Sequence, residues 1–425
     1  MTSPAPAATR MIGVDVARFL AIIGMIAAHL IPIAGMIAEP GSFDEAAGKF
    51  TDTLTAGIAA PLFAVLGGVS TVLATRKLLA AGRTGAAIGA VAIRGGLLIL
   101  IGLTLGIIET PVAIVLAYYG IAMLLIAPLV WARSWLLALI ALVLTVGGGW
   151  LNAVYREGAD TPYEGGQVNF DSFAQDPFAA LRTLLLTGEY SALTWCAYLL
   201  FGVLIGRLLT GSARRGGLGR AAALLTAVGA VFAVAGQLVS NAVVATLGGV
   251  TDPALDWVSA PDRAEYVTQS TFGAPLSTQL WAQLVATPHS GSLIDIVRTA
   301  GIAAAVIGAL VLLCDVARAR GGRATPAPGP LLATVRAAGA APLTIYTLHI
   351  IATGVLLQPA LDSPDAFTGA GFDWWVAGVG AFALQLAGVL GIGALLAALG
   401  RRGPLEALVS GIVKLGIREG SAGRV

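Results

Sequence analysis

The chain has 425 residues, of which 57% are hydrophobic and only 11% charged, with a formal net charge of +2 and a mean hydropathy of +0.86. A soluble chain carries roughly a quarter charged residues, so this composition excludes a soluble globular protein, and no nucleic-acid partner is expected. The two cysteines, Cys196 and Cys314, lie inside or at the end of apolar runs without metal-ligand spacing, so neither a disulfide framework nor a metal site is implied.

In chain order, MTSPAPAATR (1–10) reads as a short polar tail. Apolar runs long enough to cross a bilayer, about 20 residues, then follow over 11–36, 55–75, 88–108, 111–131, 134–153, 191–210, 220–248, 293–316, 332–358 and 374–399. The first lacks a small-residue cleavage site after it and reads as a retained helix. The expected fold is therefore an all-α polytopic membrane protein, a bundle of about ten transmembrane helices in a single domain over 1–425. Lys and Arg collect after every even-numbered span: Arg76, Lys77 and Arg83, then Arg133, then Arg207, Arg214, Arg215 and Arg220, then Arg318, Arg320 and Arg323, then Arg401 and Arg402. The positive-inside rule places those exits and both termini in the cytoplasm, and the segments 37–54, 154–190, 249–292 and 359–373 outside. GGRATPAPGP (321–330) is a Gly/Pro-rich cytoplasmic linker. In the C-terminal segment 403–425, GPLEALVSGIVKLGIREG is too short to cross again. Its Leu405, Leu408, Ile412 and Leu415 suit an amphipathic helix at the cytoplasmic interface.

Span one carries an acid, a base and a histidine in VDVARFLAIIGMIAAHL (14–30): Asp15, Arg18 and His29. The eleven positions from Arg18 to His29 come to about 1100°, close to three full turns, and to a rise of about 16 Å. The two side chains share one face, with Arg18 near the cytoplasmic end and His29 in the outer half of the membrane. Ionisable groups at that depth are costly and face cavities or substrate paths unless paired. Asp15 and Arg18, three residues apart, also suit a simple ion pair, with His29 bonded to a neighbouring helix.

The spacing resembles the first helix of the acyltransferase-3 family, an Arg, ten residues and a His. The fuller pattern, RMIGVDVARFLAIIGMIAAHL followed by AAPLFAVLGGVS (59–70), is similar to the heparan-α-glucosaminide N-acetyltransferase-like and YeiB-like membrane proteins of the same superfamily. TGEYSALTWCAYLLFGVLIGR (187–207), AAGAAPLTIYTLHI (337–350) and RRGPLEALV (401–409) resemble further YeiB-like blocks in the expected order. Phe19 stands where that family usually has Gly. In some relatives the position of His29 is Asn and the catalytic His lies in the following loop, but 37–54 contains no His.

The resemblance implies a membrane acyltransferase that passes an acyl group, acetyl above all, from cytoplasmic acyl-CoA to a hydroxyl or amine of an extracytoplasmic glycan, glycolipid or small molecule. An imidazole, with a reference pKa near 6.5, suits a general base or transient nucleophile, a role that falls to His29. Acetyl-CoA or another acyl-CoA is polyanionic, so Arg18, Arg94, Arg76 and Lys77 would meet its phosphates, with Asp15 holding Arg18. His349, after Thr344 and Tyr346 in the outer half of span nine, either faces the same cavity or makes a structural hydrogen bond. His289 reads as a solvated histidine of an outer loop. Glu189, Tyr190 and Trp195, where an outer loop enters span six, either line an acceptor site or anchor the interface. Arg207 reads as a cytoplasmic charge, with Gly202 and Gly206 allowing close helix packing.

Beyond the lipid bilayer, the expected partners are the donor and an envelope acceptor, and a homo-oligomer stays open. The Ala/Gly/Arg-rich composition points to the cytoplasmic membrane of a bacterium. Two other function classes compete. A proton-coupled transporter would use the Asp15, Arg18 and His29 stripe as a relay, although such carriers often show repeated interrupted helices and the stripe is not repeated. A non-catalytic acyl-lipid-binding or scaffold protein would need no reactive histidine.

Overall fold

The structure, a computed structural model, describes residues 11–159, 164, 166–269, 271, 273–317, 328–364 and 371–422. The N-terminal tail, most of the 321–330 linker, and Arg318, Arg320 and Arg323 lie outside the described residues. Thirteen principal helices are α1 Ile12–Ile37, α2 Phe43–Thr55, α3 Ala59–Ala80, α4 Thr84–Leu105, α5 Leu116–Ile126, α6 Ser134–Gly158, α7 Ala192–Arg214, α8 Leu218–Val244, α9 Leu293–Val311, α10 Pro330–Gly339, α11 Pro342–Ala352, α12 Gly378–Leu399 and α13 Pro404–Ala422. Among the described residues, nine helices are long and apolar enough to cross a membrane. This is an all-α polytopic membrane protein.

Three spans and one loop differ from the hydropathy reading. The run 111–131 forms only α5 and a 3₁₀ turn to Leu129, because Pro111 and Pro128 bound it. Helix α2 was expected as loop; it precedes α3 across Gly57, which sits at φ +65°, and its backbone packs on the C-terminal end of α1. Span ten begins only at Gly378. Span nine is not one helix: α10 ends at Gly339, and α11 starts at Pro342 after a break at Ala340 and Ala341. Pro342 lacks an N–H and pushes the residue before it out of helical geometry, and Ala341 has φ −121° and ψ 42°. The break rests on α1 so closely that a Cβ on Gly339 would lie 1.9 Å from the Asp15 carbonyl oxygen.

Helix α1 is the hub, packed against α2, α3, α9, α10, α11 and α12. Its first turn has no side-chain cap of its own; instead the Ile12 and Gly13 N–H groups donate to Asp315 at 2.8 and 2.9 Å, beyond α9. Helices α3 and α7 cross backbone to backbone, since a Cβ on Gly202 would lie 1.9 Å from the Val65 carbonyl oxygen, which fulfils the packing expected of the glycine spacing. Arg207 is more than a loop charge: it donates to the carbonyls of Ala132 and Val130 at 2.7 and 2.8 Å, closing the turn after α5. The C-terminal segment forms helix α13, with Val409 and Val413 buried and Leu408 and Leu415 exposed.

The segment 247–285, expected only as a long polar loop, folds into a small cap with its own core of Leu247, Leu255, Val267, Trp281 and Val285. Asp252 accepts from Trp281 Nε1 at 2.8 Å and Ser277 Oγ at 2.5 Å. Arg263 donates to the carbonyls of Leu247 and Val250 at 3.1 and 2.7 Å.

Candidate active site

A cavity of about 660 Å³ opens among α1, α3, α4, α5, α10, α11 and α13. Four helices and the α12–α13 turn bring arginines to its wall: Arg18, Arg76, Arg94, Arg336, Arg401 and Arg402. Asp15 Oδ1 lies 2.5 Å from Arg18 Nη1, and Arg18 Nη2 donates to Ser70 Oγ at 2.9 Å. The expected ion pair is therefore present, and it fixes the guanidinium at the cavity wall. Lys77, expected beside Arg76, is exposed and does not line the cavity; adjacent residues on a helix point about 100° apart, so only one of the two faces inward. Arg336, Arg401 and Arg402 were not foreseen here, although the last two were visible as loop charges. Glu406 explains the GPLE block. Its carboxylate accepts the Leu343 and Thr344 N–H groups at 2.6 and 3.1 Å and Thr344 Oγ1 at 2.6 Å, capping the free N-terminus of α11 that the break creates.

Three helical turns along α1 from Arg18 the structure joins His29 and His349. His29 Nδ1 lies 2.9 Å from His349 Nε2, with the rings nearly parallel, and His349 Nδ1 lies 2.6 Å from Gln385 Oε1 on α12. His349 is buried and His29 partly so. Sequence reasoning missed Gln385, whose one signal is that it is a lone amide in the apolar run GAFALQLAGVLG. Neither histidine lines the arginine cavity.

A third cluster lies above it. Asn152 donates to the carbonyls of Leu186 and Gly273 at 2.8 and 2.7 Å, and Arg156 to that of Thr187 at 2.7 Å. This clamp presents Glu189 to a small recess it shares with Trp195 and His289. Burial raises the Glu189 carboxyl to about 7, against a lowering bond from Tyr190. Two expectations are corrected. Tyr190 and Trp195 are buried at 7% and 5% exposure and so are not interfacial anchors. His289 is not solvated: its ring packs edge-on to Tyr190 at 5.4 Å, and burial lowers its pKa to about 4. It is also within electrostatic reach of His29 and, at φ +60°, is the one non-glycine residue with positive φ among the described residues, a strain that recurs at functional sites. A run of neighbouring rings, Phe63, Tyr119, Trp195, Tyr190 and His289, with centroids 5.3 to 6.3 Å apart and edge-on contacts from Tyr119 onward, links the arginine cavity to this recess.

The family model for the catalytic domain of heparan-α-glucosaminide N-acetyltransferase matches residues 10–238, just over half of the chain. The chain belongs to that family. No curated protein matches it. Membership in the heparan-α-glucosaminide N-acetyltransferase family makes the chain a membrane transferase of the N-acetyltransferase type, and transferases of this family in general use acetyl-CoA-type donors. The matched region carries Asp15, Arg18, His29, Arg76, Arg94 and the Glu189 turn. His289, Arg336, His349, Gln385, Arg401 and Arg402 lie beyond it and join the same constellation only through the fold.

Proposed function

We infer that the protein transfers an acyl group, acetyl above all, from cytoplasmic acyl-CoA to an amine or hydroxyl acceptor on the opposite side of a bacterial cytoplasmic membrane. The observation that carries this reading is the convergence of six arginines on one cavity. Its volume is within the range of about 300–1,000 Å³ common for ligand sites. Arginine forks match phosphate oxygens, so the cavity suits the polyanionic end of coenzyme A, and Ser70, with the Asp15 carboxylate, holds Arg18 ready.

The acyl end must reach the histidines, about 16 Å further along α1 at helical rise, a depth that the extended pantetheine arm suits. The ring run from Phe63 to His289 joins the arginine cavity to the Glu189 recess. His29 then removes the acceptor proton as a general base, or takes the acyl group before passing it on. Glu189 and His289 border the outward recess where an acceptor would be held.

The experiment is donor binding by calorimetry on detergent-purified protein. Arg18→Gln should weaken acetyl-CoA binding by roughly 1.5–3 kcal/mol, the range for a hydrogen bond to a charged group, while His29→Ala should leave it near the parent. No donor binding to the parent would favour a second reading, a proton-coupled transporter using Asp15, Arg18 and His29. One observation favours that reading: the helix broken between α10 and α11 is a device of carriers.

A further inference from the structure

Gln385, His349 and His29 are strung across three helices, and the chemistry of one end fixes the other. A carbonyl oxygen has no proton to give, so the 2.6 Å contact between Gln385 Oε1 and His349 Nδ1 takes its proton from the imidazole. A neutral imidazole protonated at Nδ1 keeps its lone pair on Nε2. The 2.9 Å contact from His349 Nε2 to His29 Nδ1 therefore takes its proton from His29. What remains is His29 Nε2, bearing its lone pair and without a hydrogen-bond partner among the described residues.

We propose that Gln385 is a positioning residue that acts through His349 to hold His29 in the one tautomer that presents Nε2 as the base or nucleophile. The proposal rests on the reading of His29 given above. It also accounts for an amide where an aqueous relay would use a carboxylate. A carboxylate here would place a charge at membrane depth and would hold an extra proton on the histidine pair, and a protonated His29 is no base. An uncharged chain orients the ring without that proton.

The protons balance. Nε2 takes the proton of the acceptor amine or hydroxyl as the new bond to the acyl carbon forms. The Nδ1–H of the resulting imidazolium stays bonded to the His349 lone pair. The proton on Nε2 then goes to the coenzyme A thiolate as the carbon–sulfur bond breaks. Of the charged groups on the elements packed around the pair, Asp15, Arg18, Arg336 and Glu406 belong to the arginine cavity, and Asp44 of α2 faces Gly378 at the outer end of α12. His289 is the titratable group within electrostatic reach of His29.

The chain has three histidines, so selective ¹⁵N-histidine labelling of the full-length protein in nanodiscs resolves each ring. Near neutral pH the parent should show His29 and His349 both protonated at Nδ1 alone. Gln385→Leu should release both to mixed tautomers, and Gln385→Glu should protonate the pair. With acetyl-CoA as donor and glucosamine as acceptor probe, thiol release should fall about 10–100-fold in Gln385→Leu, the range for a lost orienting partner of a functional histidine. In Gln385→Glu the active limb of the pH profile should move to higher pH, and both variants should keep the parent's donor binding. A parent His29 protonated at Nε2, or tautomers unchanged in Gln385→Leu, would overturn the proposal. Parental thiol release in His29→Ala would instead overturn the reading of His29, while the tautomer measurement would still decide the part played by Gln385.

Discussion

Single side chains carry most of the chemistry, and His29 is the one to remove first. His29→Ala should abolish acyl transfer, since loss of a general base alone costs about 10²–10⁴-fold, with expression and donor binding retained. His349→Ala should impair transfer only in part. Acetyl release by purified protein would show both, and an unaltered rate in His29→Ala would move the chemistry to His349. Glu189 gives a second prediction, at the outer recess. Its folded pKa of about 7 is raised above the usual carboxylate value by burial, so between about pH 4.5 and 7 the folded state binds the proton that the unfolded chain has lost. That term costs stability as pH rises through this window and levels off at about 3 kcal/mol above it. Melting of Glu189→Gln should therefore gain on the parent as pH increases from 4.5 to 7. His289, held near 4 by burial, slopes the other way in both proteins, so the difference between parent and variant isolates Glu189. Arg18 and His29 were legible because a charge or an imidazole stands out in an apolar run. Gln385 was not, since an uncharged amide barely alters hydropathy. His289 was misread because its neighbours are loop residues and only the folded cap buries it.

At the level of helices, the interruption at Ala340 and Ala341 creates a free N-terminus at the arginine cavity, and Glu406 is what covers it. Glu406→Ala should lower stability by roughly 1.5–3 kcal/mol, the worth of hydrogen bonds to a charged group, read as a fall in melting temperature in detergent. Gly339→Ala should also destabilise, by about 1–3 kcal/mol, because the added methyl would overlap the Asp15 carbonyl. Long apolar runs announced most of the bundle, but a twenty-residue average does not register a two-residue break, and the proline at 342 was its one sign. The helix over 43–55 escaped for another reason. Phe43, Ala47, Phe50 and Leu54 recur at helical spacing, but the acidic and polar residues between them keep the segment below the hydropathy of a span, and only span-length apolar runs were read as helices.

For the whole molecule, the basic exits predict both termini in the cytoplasm, which requires the shorter apolar segment Leu116–Leu129 to cross as a tenth span beside the nine long ones. Gln175 and Gln269 are exposed on segments assigned to the outside, so cysteines introduced there should react with an impermeant thiol reagent on intact cells. Labelling only after permeabilisation would reverse the orientation and the direction of transfer with it. The native thiols interfere little, because Cys196 is buried and Cys314 is partly covered.

The cap over 247–285 adds something to this picture. With its own apolar centre and its own internal bonds through Asp252 and Arg263, it has what a separate cooperative unit requires. Its amides should exchange with deuterium together, and sooner than those of α1 and α7. The Thr271 and Gly273 N–H groups, bonded to the Pro288 and His289 carbonyls, tie its opening to the turn that holds His289. Exchange at those two amides would then report how often the Glu189 recess is unroofed, a rate that sets an upper limit on turnover for any acceptor too large to enter while the roof is shut.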